Sequence, residues 1–183
     1  VKAFGRNVFT SNFREDKKLE LIQGALFDEK VDLNAIKGSD AVLSVLGGTF
    51  DGADKTRSLG MKIITEQMHK AAVKRIVAVG GMGVLKAQDG TLIIDDKHYP
   101  SQFLAVGLEH LKAYEFLKAS SLNWTFVCPP DIIKADVTGM FHTSAEYLPI
   151  PNLNKINAGD LALFMLKELE KNEYLQKRVG ISN

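Results

Sequence analysis

The strongest constraint on this chain is its alternation of short apolar runs with segments of helical period. The runs are "VKAF" (1–4), "LELIQGAL" (19–26), "DAVLSVL" (40–46), "RIVAV" (75–79), "NWTFVC" (123–128) and "KRVGIS" (177–182). Several are apolar at successive positions, so both faces of a strand built from them would be buried. Between them, "VDLNAIKG" predicts a short helix closed by Gly38, and a longer one spans roughly 57–73. In the longer one Ile64, Met68 and Ala71 or Ala72 share a face. A third helix is predicted around 108–120, and "AGDLALFMLKELEKN" forms the last. Asp160 falls in its first turn, where a negative charge suits the helix dipole. A further strand is expected at "TGMFHTS". Such a pattern predicts an α/β domain, a doubly wound parallel sheet covered by helices on both faces, with no linker dividing residues 1–183.

Composition narrows the function classes. The 23 basic and 22 acidic residues leave a net charge of +1, without the clustered positive charge that phosphate-backbone binding requires. No apolar run is long enough to span a bilayer. The one cysteine, Cys128, has no internal disulfide partner, which points to a reducing, cytoplasmic setting. The expected partner is a small molecule, with no nucleic acid and no membrane involved.

In doubly wound sheets ligands bind beyond the carboxyl ends of the strands. The residues there are Gly5-Arg6-Asn7, Gly24-Ala25, Gly47-Gly48, Gly80-Gly81-Met82-Gly83 and Pro129-Pro130-Asp131. Recurrent glycines at strand ends let a ligand approach the backbone, and together they predict a nucleotide cleft. An arginine in the turn after a strand, here Arg6, can hold a ribose 2′-phosphate with its planar fork, whereas an acidic residue would favour NAD. Gly80–Gly83 lacks the lysine-serine or lysine-threonine pair of a phosphate loop and reads as a cleft wall. Tyr114 and Lys118 have the Tyr-x-x-x-Lys spacing of a proton-donating pair, yet the spacing alone reads as two ordinary helix residues. Asp95, Asp96 and His98 read as a solvated loop, and no metal site is expected. His69 and His142 carry no signal. His110, on the helix before "NWTFVCPP", is the histidine that could face the cleft.

The ordered set "VKAFGRN", "LIQGALFD", "SDAVLSVLGG", "KRIVAVGG", "SSLNWTFVCPP" and "AGDLALFMLKEL" resembles the atypical short-chain dehydrogenases over essentially the whole chain. It is similar to the NmrA-like members, and particularly to the flavin reductase (biliverdin-IXβ reductase) branch. There a strand ending in two prolines is followed by a Thr-Gly segment, here Thr138-Gly139. The resemblance implies a Rossmann-like domain that binds NADP. Arg6 and Asn7 would lie at the 2′-phosphate, Gly47 and Gly48 beside the adenosine or ribose. Gly80, Gly81, Met82, Pro129, Pro130 and Ile132 would flank the nicotinamide.

Departures from the family pattern are informative. Ala25 replaces an aspartate that contacts adenine, Gly81 stands where an active-site serine is expected, and Cys128 replaces an arginine. The family's tyrosine and lysine positions fall at Val106 and His110, so Tyr114 and Lys118 are out of register by more than one helical turn. His110 is therefore the catalytic candidate, with Met82, Val84 and Leu85 as an apolar platform for a flat substrate. The resemblance also implies a strand, a Gly-x-x-Gly-x-x-Gly turn and a helix ahead of Val1. The expectation is that these 183 residues belong to a longer chain. The implied activity is NADPH-dependent reduction of a flavin, quinone or similar conjugated molecule. The alternative is a non-catalytic NADP sensor that regulates a protein partner. Sugar-nucleotide epimerisation is disfavoured, because it needs the missing tyrosine base.

Overall fold

The computed structural model describes residues 1–10 and 13–183. In chain order it forms β1 (Lys2–Gly5), β2 (Glu20–Gln23), α1 (Glu29–Ile36), β3 (Ala41–Ser44), α2 (Thr56–Lys70) and β4 (Arg75–Val79). There follow α3 (Ser101–Ala119), β5 (Asn123–Cys128), β6 (Asp131–Ile133), β7 (His142–Ala145), β8 (Lys155–Asn157), α4 (Ala158–Lys171) and β9 (Lys177–Ser182). The main sheet has the order β3-β4-β5-β9-β7. Its first four strands are parallel, with Val77 opposite Thr125 and Val127 opposite Val179. β7 runs antiparallel to β9. β1 pairs in parallel with β2, and β6 with β8. Among the described residues β1 and β3 each have a strand partner on one side only.

The chain is the α/β fold with a mostly parallel, Rossmann-like sheet that its periodicity predicts. Alternate residues of one strand enter two different cores. Ile76 and Ala78 of β4, with Trp124, Phe126 and Cys128 of β5, pack beneath Met61, Ile64 and Met68 of α2 and Ala113 and Leu117 of α3. Val77, Val127, Val179 and Ile181 point the other way, against Leu161, Phe164 and Met165 of α4. Burying each such large apolar side chain stabilises the fold by about 1.5–3 kcal/mol, and the polar residues buried on the same strands, Thr125, Arg178 and Ser182, are hydrogen-bonded.

Differences from the sequence reading have local causes. α3 begins at Ser101 rather than near Leu108, because Phe103, Leu104 and Leu108 lie on its outer face and blur the helical period. β2 ends at Gln23, and the chain turns at Gly24, where a Cβ would strike Phe4 and Val31. The strand in "TGMFHTS" is confined to His142–Ala145. The parallel pair β6–β8 has no sequence signal, since β6 is three exposed residues. No helix among the described residues is long and apolar enough to cross a membrane.

Candidate functional site

The parallel strands β3, β4 and β5 end on one rim of the sheet, and the loops that leave them build the site. The Gly80 N–H donates to Val127 O at 2.7 Å and the Met82 N–H to Pro129 O at 3.1 Å. These bonds join the ends of β4 and β5 into one wall. Gly80 sits under the Phe126 ring, which a Cβ there would strike. Gly81 faces His110, which α3 delivers from the opposite side: a Cβ there would lie 2.8 Å from the imidazole Cδ2. The Gly81 and His110 of the sequence reading are thus brought into direct contact. Burial, with a smaller contribution from the nearby Arg57 charge, pulls the His110 pKa down to about 4, so the imidazole is neutral at neutral pH.

Arg57 is buried on α2 and organises the loop after β3. Its Nη2 donates to Gly48 O and its Nη1 to Thr49 O, both at 3.0 Å, while the guanidinium lies 5.8 Å from the centre of the Phe50 ring. Asp54 completes the turn, accepting the Thr49 N–H at 3.3 Å and the Thr56 N–H at the start of α2 at 2.7 Å. Those hydrogen bonds, first that of Thr56, hold its pKa below the usual carboxylate range. Gly48 is enclosed by Asp54 and Arg57, whereas Gly47 faces open space within 4 Å of a Cβ position. One turn into α2, Ser58 Oγ donates to the buried Glu109 carboxylate at 2.5 Å, and Lys55 Nζ approaches it at 3.2 Å. These contacts bolt α2 to α3 beside His110.

Arg57 and Glu109 are absent from the sequence reading, yet each leaves a trace. Arg57 precedes Met61, Ile64 and Met68 at helical spacing, and Glu109 precedes Ala113 and Leu117 in the same way. A charge on an otherwise buried stripe is the available signal for a polar network.

The remaining candidates are more dispersed. Arg6 and Asn7 are exposed in the turn after β1. Met82 is half-buried, Pro129 is buried, and Ile132 lies half-exposed in β6 opposite Ile156. Val84 and Leu85 are wholly buried in the core beneath α2 and α3, so the apolar platform reduces to Met82. Cys128 is buried and its thiol pushed up by desolvation.

Tyr114 and Lys118 belong to another environment. The Tyr114 ring packs on Trp124 and Phe126, with the Arg178 guanidinium 4.8 Å from its centre and Lys118 Nζ at 5.9 Å. His98 is exposed, and its backbone N–H donates to Asp96. Asp160 does more than complement a dipole. It is buried and accepts five hydrogen bonds, from the N–H and hydroxyl of Thr138, the N–H of Gly139, and the side chains of Asn157 and Asn183.

A family profile described as NAD(P)H-binding matches residues 1–172. Among solved structures, a candidate exported protein from Burkholderia pseudomallei is 29% identical, with a TM-score of 0.83 over 100% of this chain and 87% of that one. A candidate NADH-flavin reductase from Streptococcus pneumoniae TIGR4 is 23% identical, with a TM-score of 0.81 over 100% and 86% of the two chains. A short-chain dehydrogenase/reductase from Veillonella parvula DSM 2008, in complex with NADP, shares 12% identity and a TM-score of 0.77 over 100% and 82%. At these identities the last two establish the common fold.

Proposed function

Because the chain belongs to the NAD(P)H-binding family, we propose that it is an NADPH-dependent reductase of a flavin, quinone or similar conjugated small molecule. Within the family, the Pro129-Pro130 strand end and the Thr138-Gly139 segment favour the NmrA-like group and its flavin reductase branch. The observation that carries the reading is the contact of His110 with Gly81 at the carboxyl rim of the sheet. A neutral imidazole beside the Gly80–Gly81 wall suits an acceptor ring that needs orientation rather than a charged proton donor.

The residues present fit the cofactor. Gly47 leaves room for a sugar to approach the backbone, and the exposed guanidinium of Arg6 is free to grip a 2′-phosphate, which favours NADP over NAD. Bound NADPH supplies a hydride to the acceptor, whose second requirement, a proton, water meets. Met82 offers the acceptor an apolar contact, and His110 orients it through a ring N–H without adding charge. The buried, unpaired Cys128 suits a reducing, cytoplasmic setting.

The test is NADPH oxidation by the protein with FMN and with simple quinones as acceptors, run beside a direct measurement of NADPH binding. Turnover with either acceptor supports the reductase. Tight binding without turnover above background overturns it in favour of an NADP sensor that answers to a protein partner, a reading that the valine at position 106 also accommodates. Absence of binding overturns both.

A further inference from the structure

We propose that Arg57 is a positioning residue of this site: its guanidinium holds the turn after β3, while the neighbouring Ser58 bolts the helix that carries it to Glu109, beside His110. The inference rests on the reductase reading for its catalytic meaning, but its geometry stands apart from that reading. Arg57 is 7% exposed, and both of its Nη atoms are committed to carbonyls of the turn, those of Gly48 and Thr49. Its guanidinium carbon lies over the Phe50 ring, which in turn meets Phe103 of α3 edge-on at 6.4 Å. Asp54 clamps the same turn from the other side.

α2 and α3 are held in register at this point. Ser58, the residue after Arg57, bonds to Glu109, the residue before His110, and Lys55 reaches the same carboxylate. The cofactor-facing turn and the substrate-facing histidine therefore share one support. Lys55 spans the same junction, since its Nζ donates to Gly52 O at 2.6 Å as well as to the Glu109 carboxylate.

The charges around His110 are few. α2 contributes Arg57, which lowers the affinity of the imidazole for a proton; its own helix contributes Glu109, which raises it. Lys55 lies on that carboxylate, and the loop after β4 contributes the uncharged Gly81. Burial of a cation in such surroundings has a desolvation cost, and a second positive charge opposes protonation further. Arg57 thereby helps to keep the imidazole neutral while it orders the turn that meets the cofactor.

The two roles separate by substitution. Arg57→Met removes charge and fork, Arg57→Lys keeps the charge and loses the fork, and Asp54→Asn loosens the turn while leaving Arg57 in place. Two quantities are read: the NMR titration of His110 in the cofactor-free protein, and KM for NADPH against kcat. The expectation is that Arg57→Met raises the His110 midpoint by about half a pH unit or more and raises KM by about tenfold. Arg57→Lys should restore the midpoint but not KM. Asp54→Asn should raise KM without moving the midpoint. An unchanged midpoint in Arg57→Met overturns the charge role. A wild-type KM in Arg57→Lys and Asp54→Asn overturns the positioning role. Because the titration needs no cofactor, its result stands even if the wild-type protein fails to oxidise NADPH.

Discussion

The imidazole of His110 occupies the space that a side chain on residue 81 would need: a Cβ on Gly81 would lie 2.8 Å from Cδ2 and 3.3 Å from Nε2. The two positions are mutually exclusive as built. Substituting Gly81 by alanine should therefore push the ring out of its seat. Overpacking of this kind costs about 1–3 kcal/mol, at roughly 2–4 °C of melting temperature per kcal/mol. Calorimetry on Gly81→Ala checks the first effect, and an accompanying loss of NADPH turnover of about tenfold would tie it to the site.

The same burial makes stability depend on pH. With a pKa of about 4 when folded against 6.5 when unfolded, His110 binds fewer protons in the folded state between those values. Its contribution to stability is complete above pH 6.5 and lost as pH falls toward 4, by about 3 kcal/mol in all. Urea unfolding at pH 7 and pH 5 should show the loss, and His110→Gln should flatten that part of the profile. An unaltered pH dependence in the variant would contradict the burial.

Arg6 is exposed in the turn after β1, and its proposed ligand distinguishes two cofactors. Replacing Arg6 with alanine should weaken NADPH binding by about 10–100-fold, the equivalent of one or two charged hydrogen bonds, and leave NADH nearly unchanged. Titration calorimetry with both cofactors decides; equal losses would remove Arg6 from the 2′-phosphate.

Asp160 accepts five hydrogen bonds from the Thr138-Gly139 segment, Asn157 and Asn183. These partners hold its carboxylate ionised far below the usual range against its own burial, so its stabilisation is present above pH 4 and lost under stronger acid. Asp160→Ala should cost about 3 kcal/mol or more, because it strands buried donors, and Asp160→Asn somewhat less. Denaturant midpoints of the two variants, in that order, are the measurement.

Tyr114 separates spacing from chemistry. Its ring lies against Trp124, Phe126 and the Arg178 guanidinium, which is paired with Glu146. Tyr114→Phe should leave NADPH turnover unchanged, while Tyr114→Ala should destabilise the protein by about 3–5 kcal/mol. A large fall in turnover for the phenylalanine variant would return the Tyr-x-x-x-Lys pair to the mechanism.

The parallel sheet and its helices were legible because Ile76, Val77 and Ala78, or Phe126, Val127 and Cys128, are apolar in succession, and only burial on two faces produces that. Of the candidate site, Gly81 and His110 were each named from the sequence, one for its strand-end glycine cluster and the other for its helix position, but their contact across two elements was not. Arg57 and Glu109 escaped, although each sits on an apolar helical stripe, since an isolated charge at helical spacing gives no hint of its partner on another helix. Val84 and Leu85 misled for the converse reason. Their apolarity is equally suited to a substrate platform and to a core, and the turn at 82–84 directs them inward.

The placement of β9 between β5 and β7 has a consequence for synthesis. β7 takes its only described strand partner from a segment that leaves the ribosome some 30 residues later, with β8 and α4 made in the interval. Domains form as units while the chain emerges at about 5–20 residues per second. Until Lys177–Ser182 has been made, β5 lacks its partner on that side and β7 has nothing described to pair with, so the unit cannot complete its main sheet from the preceding segments alone.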